Sequence, residues 1–232
     1  MRLDKYIGKS TELNRTEVSR FLQNQQVTID NKIFTNGAVQ VHANNVVALA
    51  GMTLLLRPFR YLMMHKPPNT LCSNVDEKYP SIFNDINVDK KSELHVVGRL
   101  DADTTGLVLM TDDGSWTFKI ISPKAKCEKV YRVQLRDAIN ADAVKNLEQG
   151  VMLQGVDQPT LPAKIEILSK NEVLLTITQG KFHQVKRMFR AVGNRVRHLH
   201  REQIGEVSLD IKLGEWRYLT NSEVDSYSLV LK

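Results

Sequence analysis

Apolar and polar positions along the chain follow two different regimes. Over residues 1–50 the apolar residues first recur at helical spacing and then alternate. "RLDKYI" carries the first helical pattern, and "NRTEVSRFLQN" opens with Asn14 three residues before Glu17, a pair that predicts an N-cap and capping box. "QVTIDNKIF" alternates around Asp30-Asn31, which predicts a hairpin. The pattern breaks up around Pro58, and residues 51–60 read as a linker. From residue 61 onward strand-like runs dominate. "HVVGRLDADTTGLVLMTDDG", from His95 to Gly114, sets a polar turn between two apolar runs, and "KVYRVQL" alternates. "INADAVKNLEQG" predicts a helix capped by Asn140 and stopped by Gly150, and "AKIEIL" with "EVLLTITQG" predicts a hairpin at Lys170-Asn171. "HQVKRMFRAVG" reads as a further helix, ended by Gly193. Many strands and few helices indicate an α+β fold built on a mainly antiparallel sheet.

Composition narrows the class. With 232 residues and 42% hydrophobic content, the chain can bury one substantial core, or a moderate one beside a small partner domain. No segment approaches the roughly 20 apolar residues of a membrane span, and "MRLDKYIGKS" lacks the apolar centre of a signal peptide, so a cytoplasmic protein is expected. Cys72 and Cys127 form no C-x-x-C pair and are expected to be reduced packing residues. Neither a heptad pattern nor an extended apolar helix face is present, which leaves a monomer as the expectation.

The net charge of +6 and pI near 9.3 favour a polyanionic partner. Its distribution is more telling. Residues 1–60 hold eight Lys/Arg against four Asp/Glu, with Arg2, Lys5, Arg15 and Arg20 on or beside the two helical patterns. "KFHQVKRMFRAVGNRVRHLHR", from Lys181 to Arg201, holds seven Lys/Arg, three His and no acid. Two basic clusters on periodic elements point to a nucleic-acid surface, to which Lys181, His183, Arg187 and Arg190 would belong.

Several chemistries find no support. No two of the twelve glycines are spaced G-x-G and no G-x-x-x-x-G-K-[ST] occurs, which counts against dinucleotide and P-loop cofactors. His198 and His200 with Glu202 are the local metal candidate, but their basic setting favours phosphate or base contacts. "DTTG" evokes the aspartic-protease D-T-G, which needs a second copy to share one proton; only one exists. What remains is a single carboxylate, Asp101, directly after "GRL" at the end of an apolar strand. It is either a cleft-edge nucleophile or base, or a turn residue capping its own backbone.

"GRLDADTTGLVLMTDDG" resembles the catalytic motif of pseudouridine synthases of the RsuA/RluB/RluE/RluF family, in which G-R-L-D is followed by T-x-G-L and a D-G element. The resemblance extends in order through "HKPPN", "SPKAKCEKVYRVQL", "GKFHQVKRMFRAVGNRVRHLHREQIG" and the closing "LGEWRYLT". Residues 1–50 resemble the S4 RNA-binding module, whose paired helices present basic side chains to structured RNA. The implied organisation is an S4-like domain over 1–50, a linker over 51–60 and a pseudouridine-synthase domain over 61–232.

The family resemblance implies a cofactor-independent, metal-independent isomerisation: a uridine base is detached from C1′, rotated and rejoined through C5. Asp101 matches the essential aspartate, which either attacks the sugar or abstracts a sugar proton. Tyr131 in "EKVY" matches the tyrosine that stacks on the target base. Lys186 in "HQVK" matches the cation paired with the aspartate, an arrangement that keeps a carboxylate charged and fixes its rotamer. Arg99 would fill the gap left by the extruded base or contact a phosphate, with Thr104, Thr105 and Gly106 shaping the loop. The chain departs from the family's N-K-P-x-G at His65-Lys66-Pro67-Pro68-Asn69, where Asn can take the left-handed backbone that Gly supplies. Within the family, "DADTTGLVLMTDDGSW", "CEKVYRVQL" and "HQVKRMFRAVGN" are most similar to the small-subunit enzyme. This implies uridine 516 of 16S rRNA, free or in an assembling small-subunit particle, as the substrate. Relatives acting on 23S rRNA and a non-catalytic RNA chaperone are the competing readings.

Overall fold

A computed structural model describes residues 1–227 and divides the chain into two units, Met1–Pro58 and Phe59–Lys232. In the first unit, α1 (Leu3–Ser10) and α2 (Arg15–Gln23) precede β1 (Val27–Ile29), β2 (Lys32–Ile33), β3 (Val47–Leu49) and β4 (Met52–Thr53). Asn14 caps α2 by accepting from the Thr16 and Glu17 amides, while Glu17 accepts from the Asn14 amide at 2.7 Å, completing the expected capping box. Asp30 and Asn31 take φ of 49° and 65°, the doubly left-handed turn that matches the twist of a two-residue hairpin. The strands pair in the order β2-β1-β3-β4. Met52 and Thr53, read from sequence as linker, instead pair with Leu49 and Ala48 and extend the sheet. Their side chains are exposed, so no hydrophobic alternation marks them as strand. Leu3, Ile7, Val18, Leu22, Val27 and Val47 form the core of this unit.

The second unit contains β5 (Tyr61–Lys66), β6 (His95–Val97), β7 (Thr105–Thr111), α3 (Gly114–Ile121), β8 (Lys129–Leu135), α4 (Ala141–Gln149), β9 (Lys164–Ser169), β10 (Glu172–Ile177), α5 (Gln184–Ala191), β11 (Val196–Ile204), β12 (Val207–Ser208), β13 (Trp216–Tyr218) and α6 (Asn221–Ser226). Asn140 caps α4 and Gly150 ends it, as expected. The main sheet runs β13-β5-β7-β11-β8-β10-β9, with β6 added on β7 and β12 on β11. Among the described strands only β7 and β11 run parallel to each other, so the sheet is mixed but mainly antiparallel. None of the described helices is long and apolar enough to cross a membrane.

The run "LVLM" is apolar without alternation because β7 is covered on both faces. Val108 and Met110 face one core with Leu62, Val133, Met188 and Phe189. Leu107 and Leu109 face the other with Met63, Trp116, Ile120 and Ile204. Helix α5 thus lies over one face and α3 over the opposite one. The second residue of the strand is Gly106, whose φ is 114° and whose Cα lies against the backbone of Arg201 in β11. A β-carbon there would be driven into the Arg201 backbone nitrogen, carbonyl carbon and oxygen. Gly106→Ala is therefore expected to break the parallel β7–β11 pairing, costing roughly 3 kcal/mol or more. Thermal unfolding checks this; a midpoint within a degree of the wild type would contradict it.

Candidate active site

The turn between β6 and β7, Gly98–Thr104, is fixed by its backbone before any side chain is considered. Lys66, at the end of β5 and fully buried, donates from Nζ to the carbonyls of Pro67, Ala102 and Thr104 at 3.0, 3.0 and 2.9 Å. These three bonds use all three ammonium donors. Burial pulls the Lys66 pKa below the usual lysine range, against the opposing pull of Cys72, Asp103 and Asp101. Asn69 has φ of 60°, the left-handed conformation expected for it, and its amide donates to Ala102 O at 2.8 Å. The "HKPPN" segment is thus a clamp on the acidic turn. The Leu100 amide donates to Cys72 Sγ at 3.4 Å; Cys72 and Cys127 are both buried free thiols.

From this fixed turn Asp101 projects toward α5. Its Oδ2 lies 3.0 Å from Lys186 Nζ and its Oδ1 3.3 Å from His183 Nε2. Lys186 also bonds Asp103 at 2.6 Å, bridging the two acids. Burial works against the Lys186 charge, but the hydrogen bonds to Asp103 and Asp101 outweigh it and hold the ammonium above its ordinary range. Burial likewise opposes ionisation of Asp103, and Lys186 overcomes it, so that carboxyl lies below its ordinary range. The cation is therefore charged at neutral pH. Lys186 is aimed by the start of α5: the buried Gln184 side chain accepts from the Lys181 amide at 2.8 Å and donates to Gln179 at 3.1 Å.

Tyr131, in the centre of β8, forms the floor and is 7% exposed. Its cross-strand partner on β11 is Arg201, which is 1% exposed. Arg201 donates to Leu107 O at 2.7 Å, to Gly98 O at 2.8 Å and to Tyr131 Oη at 3.4 Å, tying β7, the acidic turn and the floor tyrosine together. Lys129, two residues before Tyr131, is also buried and donates to Cys127 O at 2.8 Å; burial lowers its pKa. Asp101, Arg99, Tyr131, Lys181, Lys186 and Arg201 all line one cleft of about 690 Å³. Such a volume is of the order that small-molecule sites use.

Other sequence-designated residues lie elsewhere. Arg187 donates to Phe182 O at 3.2 Å and to Gln154 O, joining two loops, and Arg190 is exposed; neither lines the cleft. His200, read as a phosphate or base contact, instead bonds Thr105 Oγ1 at 2.8 Å and meets His65 edge-on. The period of β11 explains this, since Leu199 and Arg201 share the Tyr131 face while His200 points away. Burial, with His65 adding to it, lowers the His200 pKa. Glu202 pairs with Arg132 at 2.6 Å. In the first unit, Arg2, Lys5 and Arg15 line a shallow groove of about 360 Å³ with Leu13 and Val18. Arg2 also pairs with Asp4, and Arg20 is exposed outside the groove.

Arg201 and Lys66 were not singled out by sequence reasoning. For Arg201 a signal existed: in "LHR" it falls two residues after Leu199, on the buried face of the strand. Lys66 follows an apolar strand and precedes two prolines, but nothing local says that its ammonium turns inward.

The matches to known proteins agree with this geometry. Residues 60–191 match the model of a family described as RNA pseudouridylate synthase. The ribosomal small subunit pseudouridine synthase A of Vibrio cholerae is 46% identical, over 97% of this chain and 99% of its own length. The protein of the same name from Haemophilus influenzae is 43% identical over 97% of this chain and 98% of its length. A crystal structure of a pseudouridylate synthase superposes with a TM-score of 0.72 at 41% identity, covering 98% of this chain and 99% of that one. The acidic turn, its lysine partner and the tyrosine floor therefore sit in a chain that belongs to the RNA pseudouridylate synthase family.

Proposed function

We propose that this chain converts uridine 516 of 16S rRNA to pseudouridine, with Asp101 as the catalytic carboxylate. The observation that carries the reading is the Asp101–Lys186 pair at 3.0 Å, held by a backbone-clamped turn above Tyr131 in a cleft open to solvent. The names of the Vibrio cholerae and Haemophilus influenzae relatives favour the small subunit.

Both the C1′–N1 bond that breaks and the C1′–C5 bond that forms must lie within reach of Asp101, so the nucleotide enters extruded from its stack. Asp101 acts on the sugar, either at C1′ or on a sugar proton, while Lys186 holds the carboxylate rotamer and balances its charge. Tyr131 supports the base during its rotation, and Arg201 keeps the ring in place by donating to its oxygen. C5 gives up its proton and N1 gains one, so the reaction is an isomerisation with no net loss of atoms. Arg99, Lys181 and His183 at the cleft supply phosphate or base contacts. One chain supplies all of these groups, so the cleft needs no residue from a second copy, in keeping with action as a monomer.

The amino-terminal unit serves in this reading as an S4-like module that positions the RNA. Its exposed Arg15 and Arg20 would contact phosphates through counterion release. Replacing both with Ala is expected to weaken 16S binding and flatten its salt dependence by a slope of about 1 to 2, with turnover of bound RNA unchanged. An unchanged slope would remove those arginines from the contact. The substrate is tested by mapping carbodiimide-dependent reverse-transcription stops on 16S, 23S and assembled small-subunit particles after incubation with the protein. A single new stop at uridine 516 supports the assignment, and a stop in 23S alone overturns it.

A further inference from the structure

Phe182 is 76% exposed, although it lies in the loop that leads into the Lys186 helix and lines the same cleft as Asp101. A free phenyl ring on a loose loop would need no explanation, but this loop is not loose. Gln184 ties its Lys181 amide, and Arg187 ties the Phe182 carbonyl. His183 takes φ of 47°, a left-handed conformation that costs a non-glycine residue energy. That conformation does two things at once: it brings His183 Nε2 to 3.3 Å from Asp101, and it lays the imidazole on the Phe182 ring at 3.7 Å between centroids and 22° between planes. A stack thus leads outward from the carboxylate through the imidazole to the phenyl ring. One face of Phe182 is covered by His183, and the ring is otherwise largely open to solvent.

We propose that Phe182 is a stacking platform for the base next to the target uridine in the substrate RNA, a role that rests on the synthase reading above. Extruding the target nucleotide leaves its neighbour without a stacking partner on one side. An exposed aromatic ring just outside the catalytic pocket restores that contact without reading sequence. The surroundings favour nucleic acid over an apolar protein partner, because Lys181, Lys186 and Arg99 share this cleft. The target base itself is placed deeper, against Asp101 and Tyr131, which leaves the rim for its neighbour.

The test uses the full chain and a 16S fragment carrying 2-aminopurine on either side of uridine 516. Binding of the wild type should quench the fluorophore on one side, and Phe182→Leu, which keeps an apolar side chain but no ring, should abolish the quench. In turnover assays Phe182→Leu should raise KM about tenfold with kcat within about twofold, and Phe182→Trp should restore KM. Circular dichroism checks that each variant is folded. Wild-type quenching at neither neighbour, or an unchanged KM in Phe182→Leu, would overturn the platform. Because quenching is read on binding alone, a wild type that quenches but does not turn over would overturn the synthase reading and retain the platform.

Discussion

Asp101→Asn is expected to lower kcat by more than about 10³-fold while changing the dissociation constant for 16S RNA by less than about threefold. The asymmetry follows from what the residue touches. Asparagine has nearly the same shape and can still accept from Lys186 or His183, so the loop geometry survives. The backbone of the turn is held by Lys66 and Asn69 through carbonyls rather than through the Asp101 side chain. Lys186 keeps Asp103 as a partner at 2.6 Å, so the substitution strands no cation. Only the charge that acts on the sugar is removed. Stopped-flow turnover and filter binding on one preparation separate the two effects, and a parallel loss of both would make Asp101 a structural residue.

Arg201→Met is expected to have the second largest effect, and on two observables together. The guanidinium joins Leu107 O, Gly98 O and Tyr131 Oη beneath the cleft floor, where Arg201 itself is almost fully buried. Methionine fills much of the volume but leaves those oxygens unsatisfied, at a cost of about 3 kcal/mol. In a unit of this size that lowers the unfolding midpoint by roughly 6–12 °C. Freed of Arg201, Tyr131 and the Gly98 end of the acidic turn lose their shared anchor, and kcat is expected to fall roughly tenfold to a hundredfold in the folded protein. Lysine should not rescue, since one ammonium cannot reproduce a planar fork spread over three acceptors. A variant that melts within a degree of the wild type would show that Arg201 does not hold the site together.

Much of this arrangement was legible in the chain. The Asn14–Glu17 capping box, the Asp30-Asn31 turn and the Asn140–Gly150 helix limits are local, and each formed as its residues require. Asp101 and Lys186 lie far apart in sequence yet meet at 3.0 Å, a pairing that only the family resemblance suggested. Three features were not legible, for related reasons. A basic run reads as surface, so Arg201 was lost among its exposed neighbours although strand period placed it inward. Lys66 becomes a clamp only once β5 is laid beside β7, a long-range pairing that no local pattern encodes. Met52 and Thr53 form a strand with both side chains exposed, which hydrophobic alternation does not detect. The contacts of His200 with Thr105 and His65 depend on which strands lie beside β11, and they were not legible for the same cause.

The most direct measurement is tritium release from 16S transcript labelled at uridine C5, with purified protein and no added cofactor or metal. The predicted result is about one tritium released per RNA by the wild type and none above background by Asp101→Asn. Absence of release from both the naked transcript and an assembled small-subunit particle would contradict the assignment of Asp101 as the catalytic carboxylate of a small-subunit rRNA synthase.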